Sequence, residues 1–141
     1  MNNAIAAATL TRSILLAEDE VFVRMPLAKH LRDCGFRVIE VTSAHEAIEV
    51  LDDGRFPVDL VLTNVELAGD GFGIAKWVRD HRPELELVFT GTPERAVHAA
   101  AGLCKDNSST APMDPQLLLR RMKRLLASRK PNLDQGAKRA I

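Results

Sequence analysis

Three short apolar runs, each closing on polar residues, constrain this chain more than any other feature. The run I-L-L-A-E-D-E (14–20) ends in three carboxylates. V-D-L-V-L-T-N (58–64) ends in an amide, and L-V-F-T-G (87–91) in a hydroxyl and a glycine. Apolar runs of this length without clear alternation suit strands buried on both faces. The segments between them carry helical periodicity, and alternating β and α elements imply a parallel sheet with right-handed crossovers. In an open sheet of that kind, ligands bind beyond the carboxyl ends of the strands. The acids, the amide and the hydroxyl therefore converge on one edge.

The remaining elements follow from local signals. Strands are expected at 13–17, 37–41, 58–63 and 85–90, with a fifth within 103–110, the weakest signal of the five. A first helix has Val21, Phe22, Met25, Ala28, Leu31 and Cys34 near helical spacing, and Gly35 stands where a helix end favours positive φ. Ser43-Ala-His-Glu46 has the form of a capping box ahead of a second helix. A third helix at about 71–81 stops before Pro83, Pro93 opens a short one through Ala101, and Pro115 opens the last. Leu118, Leu119, Met122, Leu125 and Leu126 form the buried stripe of that last helix. The expected organisation is a loose lead-in at 1–12, one domain at 13–127, and a flexible basic tail at 128–141.

Charge is neutral overall but unevenly placed. Residues 1–114 hold 11 Lys/Arg against 18 Asp/Glu, whereas residues 115–141 hold 8 against 1. A basic end on an acidic body suits an acidic partner or nucleic acid, or simply a solvated helix face and a frayed tail. Cys34 and Cys104 have no C-x-x-C or metal-site spacing. They are expected to be core thiols in a reducing compartment. His30, His45, His81 and His98 fall at unrelated helical positions and are expected at the surface. No apolar run reaches the length of a membrane span, and the start M-N-N-A-I-A-A-A lacks a basic n-region and a long apolar core, so a cytoplasmic location is expected.

The acidic cluster after the first strand, the D-L-V-L-x-acceptor strand, the helix ending D-C-G-F-x-V and the D-P-Q-L-L helix opening resemble the receiver domain of two-component response regulators. The resemblance covers about 13–127. It implies a flavodoxin-like (βα)5 fold, a doubly wound parallel five-stranded sheet of order 2-1-3-4-5. It also places Glu18 and Asp19 as the metal-binding acidic pair and Asn64 at the phosphoacceptor aspartate. The carbonyl of Glu66 becomes the third metal ligand, Thr90 the switch hydroxyl and Gly91 the small residue beside the phosphate. The family's lysine aligns with Ala111, in a bond to Pro112 that is usually cis, and its aromatic switch residue with Ser108.

Nucleophile, lysine and aromatic are thus all missing. The loop at 65–71 also looks one residue short. Aspartyl phosphorylation needs a carboxylate nucleophile, acids to hold Mg²⁺, and a cation and a hydroxyl for the phosphoryl oxygens. An amide forms no stable acyl phosphate. The chain is therefore expected to be a stand-alone, degenerate, pseudo-receiver signalling module that acts by protein contact, with no cofactor beyond weak Mg²⁺ at Glu18, Asp19, Asn64 and Glu66. Partners expected from the resemblance are a histidine kinase or another signalling protein, or a second copy through the face formed by 94–101, the fifth strand and 116–129. The last helix carries Arg120, Arg121, Lys123 and Arg124 in a stripe suited to such contact. Because the chain ends soon after it, no DNA-binding output domain and no nucleic-acid partner are expected.

Two other readings remain open on the residues. One is a phosphorylatable regulator using another acid. Asp70 lies in the loop but far from the acidic pair, and Asp59 lies mid-strand. The other is a small nucleotide-binding or hydrolytic α/β enzyme. An acidic first turn with no glycine-rich phosphate loop weighs against it, as does the lack of a nucleophile–base pair. Glu18, Asp19 and Glu20 are also compatible with a solvated first helical turn, and Thr90 with simple strand-end capping.

Overall fold

A computed structural model describes residues 11–67, 71–107 and 114–129 of the chain. Four parallel strands, β1 (Ser13–Ala17), β2 (Arg37–Val41), β3 (Leu60–Asn64) and β4 (Glu86–Thr90), form one sheet of order β2-β1-β3-β4. The helices are α1 (Val21–Asp33), α2 (Ala44–Asp53), α3 (Gly71–His81), α4 (Pro93–Asp106) and α5 (Pro115–Ala127). This is the expected flavodoxin-like α/β arrangement.

The sheet is covered on both faces because alternate strand residues point to opposite sides. Ile14, Leu16, Leu60 and Leu62 join a core with α1, α4 and α5. Leu15, Ala17 and Val61 join a second core with α2 and α3. All five residues of β1 are buried. That accounts for the unbroken apolar run that follows Ser13.

The local signals act as their chemistry requires. Ser43 Oγ accepts the Glu46 N–H (3.1 Å) at the start of α2, while the Glu46 carboxylate accepts from Thr42 N (2.7 Å) and Thr42 Oγ1 (2.8 Å). Thr92 and Asp114 cap α4 and α5 ahead of Pro93 and Pro115. Gly35, at φ 100, follows the end of α1, where an L side chain would be strained.

Several expectations change. The short fourth helix extends to Asp106, so the first part of the window for a fifth strand is helical and Asn107 is the helix cap. Ala96, Val97, Ala100, Leu103 and Cys104 form one continuous buried stripe that carries the helix through Gly102. The buried face of α1 is Val23, Leu27, Ala28, His30 and Leu31, while Met25 is 60% exposed. His30 is therefore not a surface residue. It is 3% exposed, although His45, His81 and His98 do lie at the surface.

Cys34 and Cys104 are not free thiols. They form a disulfide with Cα atoms 5.5 Å apart, joining the end of α1 to the last turn of α4. The pairing removes the argument from free thiols to a reducing compartment. Asn107 Nδ2 donates to the Cys34 carbonyl (3.0 Å) and ties the same two helix ends together. The rest of the fifth-strand window, Asp70, Ser108, Ala111 and the 111–112 bond lie outside the described residues, as do nearly all of the lead-in and most of the tail.

Candidate functional site

Glu18, Asn64 and Thr90 meet at the carboxyl edge of the sheet, one from the end of each of three adjacent strands. Glu18 follows β1 directly, and its N–H donates to Val41 O (3.0 Å). Asn64 and Thr90 are register partners across β3 and β4. Glu18 is 3% exposed and Thr90 5% exposed, so this edge holds a buried carboxylate and, across β3, a buried hydroxyl residue that is not among those lining the cleft.

The contacts of Glu18 define the site. Asn64 Nδ2 donates to both of its oxygens, at 3.2 and 3.3 Å, and the Glu20 N–H donates to Oε2 at 2.9 Å. The other end of the Asn64 amide, Oδ1, accepts the Glu66 N–H at 2.9 Å. Only this orientation of the amide sets a donor against an acceptor at both ends. An aspartate at position 64 would instead set two carboxylates against each other. Burial pushes the Glu18 carboxyl above its ordinary range, and the Glu20 N–H and the Asn64 amide partly offset that rise.

Asp19 is exposed at the rim, where its carboxylate neighbours that of Glu18 and adds to the burial-driven rise in the Glu18 pKa, but it is not among the residues lining the cleft. Glu20 is, together with Glu18, Val23, Asn64, Gly91, Thr92, Pro93 and Leu126, around a volume of about 190 Å³. Glu66 reaches Asn64 through its backbone N–H. At Gly91 an added Cβ would stand 3.5 Å from Val65 Cγ2, an ordinary contact, so packing alone does not require glycine there.

The sequence reading also missed a cation. Arg129, just beyond α5, donates through its two terminal guanidinium nitrogens to the Glu20 carboxylate, with Nη2 2.8 Å from Oε2. Its guanidinium carbon lies 4.7 Å from the centre of the Phe22 ring. Glu20 also accepts the Phe22 N–H (3.2 Å) as the N-cap of α1. The third acid of the cluster thus serves a helix cap and an ion pair. The pairing spans 109 residues, and no local pattern signals it.

A parallel α/β sheet thus carries an acid, an acceptor-position residue and a hydroxyl residue on adjacent strand ends, the arrangement that the resemblance to receivers implies. The model of the response regulator receiver domain matches residues 14–108, and the chain belongs to that family. It is 33% identical over 92 residues to the transcriptional regulatory protein PdtaR of Mycobacterium tuberculosis, a match covering 64% of this chain and 44% of PdtaR. It is 32% identical over 78 residues to the sensor kinase CckA of Brucella abortus, covering 55% of this chain and 8% of CckA. The matches therefore span less than half the length of these curated relatives. A response regulator receiver protein from Sinorhizobium medicae aligns with a TM-score of 0.56 at 28% identity, covering 86% of this chain and 98% of that one. The chain is thus a receiver domain of two-component signalling. Among the described residues no helix is long and apolar enough to cross a membrane.

Proposed function

We propose that this receiver signals by protein contact without being phosphorylated at position 64. The observation that carries the reading is the Asn64 amide, bonded at one end to Glu18 and at the other to the Glu66 N–H. A buried carboxylate is satisfied by a neutral neighbour, and no nucleophile stands at the acceptor position. Ala111, at the family's lysine position, agrees with it. The same contacts argue against tight Mg²⁺ binding. Mg²⁺ calls for near-octahedral oxygen donors, but N–H groups occupy the Glu18 oxygens and Asn64 offers a neutral amide in place of a carboxylate. The test is intact mass after incubation with acetyl phosphate and Mg²⁺. No adduct is expected, and a stoichiometric phosphoryl adduct would overturn the reading and direct attention to Asp70.

The contact surface we assign is α5. Arg120, Arg121, Lys123 and Arg124 are all exposed there, and of these only Lys123 makes an ion pair among the described residues, to Glu94 at 2.7 Å. The partner class is an acidic face of a signalling protein such as a histidine kinase, with a second copy of the chain as the alternative. Exchanging Arg121 and Arg124 for glutamate is expected to weaken capture of the native partner severalfold at low salt and less at high salt. Unchanged capture would reduce the stripe to a solvated helix face.

A further inference from the structure

The least satisfied polar group among the described residues is far from the acidic cleft. Both ring nitrogens of His30 are buried and have no hydrogen-bond partner. Leaving such a group unpaired in a core costs free energy, and native proteins seldom do so without a reason. The imidazole sits one helical turn before Cys34, on the same face of α1. Cys104 is brought to it from α4, 70 residues further along the chain than Cys34. A ring nitrogen of His30 and the two sulfurs all lie within 4.8 Å of one another. Around them are Leu27, Leu31, Phe36 and other residues of the first core.

We propose that His30, Cys34 and Cys104 form a Zn²⁺ site that opens when the disulfide is reduced. The ligand chemistry selects the ion. Two sulfurs and an imidazole are a soft donor set of the kind Zn²⁺ takes, with a fourth position left for water. Two thiolates cancel the charge of a divalent ion, and a neutral complex is the form an apolar core tolerates best. Tetrahedral Zn²⁺ donors stand roughly 3.5–3.8 Å apart, given Zn–S and Zn–N distances of about 2.3 and 2.0 Å. Reduction frees the two sulfurs to separate toward that spacing, and the His30 nitrogen already lies within 4.8 Å of both. The steps balance. A phosphine reductant with water becomes the phosphine oxide as the disulfide takes two electrons and two protons to give two thiols. Zn²⁺ then displaces the two thiol protons. The ends of α1 and α4 are cross-linked in both states, by a covalent bond when oxidised and by the metal when reduced.

The test uses the full chain, reduced with the phosphine under inert gas and stripped of metal, then titrated with Zn²⁺ against a chromogenic chelator. Co²⁺ serves as a spectroscopic probe. One equivalent of Zn²⁺ is expected in the reduced protein and none in the oxidised protein. Co²⁺ should give thiolate-to-metal charge-transfer bands. His30→Leu, checked for folding in the oxidised state by circular dichroism, should weaken Zn²⁺ binding by more than about 100-fold, since even partners outside the ligand set are worth 10–100-fold. Wild-type affinity in His30→Leu would remove the imidazole from the site. Binding in the oxidised state, or no binding in the reduced state, would overturn the proposal altogether.

Discussion

Two buried polar clusters in this small domain are handled in opposite ways. At the carboxyl edge of the sheet, Glu18 is desolvated but accepts from Asn64 and from Glu20 N–H. At the junction of α1 and α4, His30 is equally buried and accepts and donates nothing among the described residues. The first cluster occupies the position where receivers bind ligands, yet it is closed upon itself. The second has no counterpart in the resemblance, yet it keeps an unused lone pair beside two sulfurs. A site inherited by position and a site with open chemistry need not coincide, and here they lie in different parts of the molecule.

The junction should dominate stability. The disulfide spans 70 residues of sequence, and cross-links closing loops of that order contribute roughly 4 kcal/mol in the chain-entropy view. The double substitution Cys34→Ser/Cys104→Ser should lower the unfolding free energy by about that amount in guanidinium titrations without metal. Substitutions in the cleft should not approach it. A loss below about 1 kcal/mol would show that the two helix ends are held mainly by packing and by Asn107, and would reverse the ranking of the two regions.

Acidity separates the regions by sign. The Glu18 carboxyl is pushed up by burial, so the native state holds its proton to higher pH than the unfolded chain. Its stabilising contribution is full below the ordinary value of 4.5 and is lost as pH rises through the folded value. The His30 imidazole is pushed down by burial, against the opposing pull of Asp33. Its contribution is full above the ordinary value of 6.5 and is lost as pH falls through the folded value. Glu18→Gln keeps the shape and removes the charge. Its NH2 group must then face one of the donors that the two Glu18 oxygens accept, which offsets the relief of no longer burying a charge, so stability at neutral pH should change by less than about 1 kcal/mol while the cleft's share of the pH slope is lost, leaving that of His30. Melting temperatures from pH 4 to 8 read both effects. A loss well beyond about 1 kcal/mol in Glu18→Gln at neutral pH would mean that the carboxylate is worth more to its donors than its burial costs.

What was legible in the sequence was what strand and helix periodicity carry. The apolar runs ending at Glu18, Asn64 and Thr90 placed those residues on one edge, and the structure puts them there. Contacts made across long separations were not legible. Nothing local to Cys34 points to Cys104, and nothing local to Glu20 points to Arg129. His30 belongs to the buried face of α1, beside Leu27 and Leu31, but the four histidines taken together fall at unrelated helical positions, which argued for the surface. The extent of α4 was misjudged for a local reason. The helix was expected to end at Ala101, yet Gly102, the next residue, has open space around its Cβ position, and an exposed helical glycine costs only about 1 kcal/mol. The stripe through Leu103 and Cys104 outweighs that.

The smallest effect belongs to the link between the basic end and the cleft. Arg129 joins Glu20 in a two-point ion pair and stacks on Phe22, but its side chain is 37% exposed and that of Glu20 25%. Partly exposed pairs of this kind contribute about 0.2–1 kcal/mol, and the ring contact adds about 0.5–1 kcal/mol. Arg129→Ala should therefore cost about 1 kcal/mol at low salt and less at high salt. Glu20→Gln alone is not a clean comparison, because Glu20 also caps α1 and its loss carries a capping cost. A double-mutant cycle isolates the pair from the cap. Coupling of a few tenths of a kcal/mol or more, falling with salt, would establish that Arg129 fastens the end of α5 to the acidic cleft. Zero coupling would leave the cleft to Glu18 and Asn64 alone, and the comparison with the junction would then rest on one hydrogen-bonded amide.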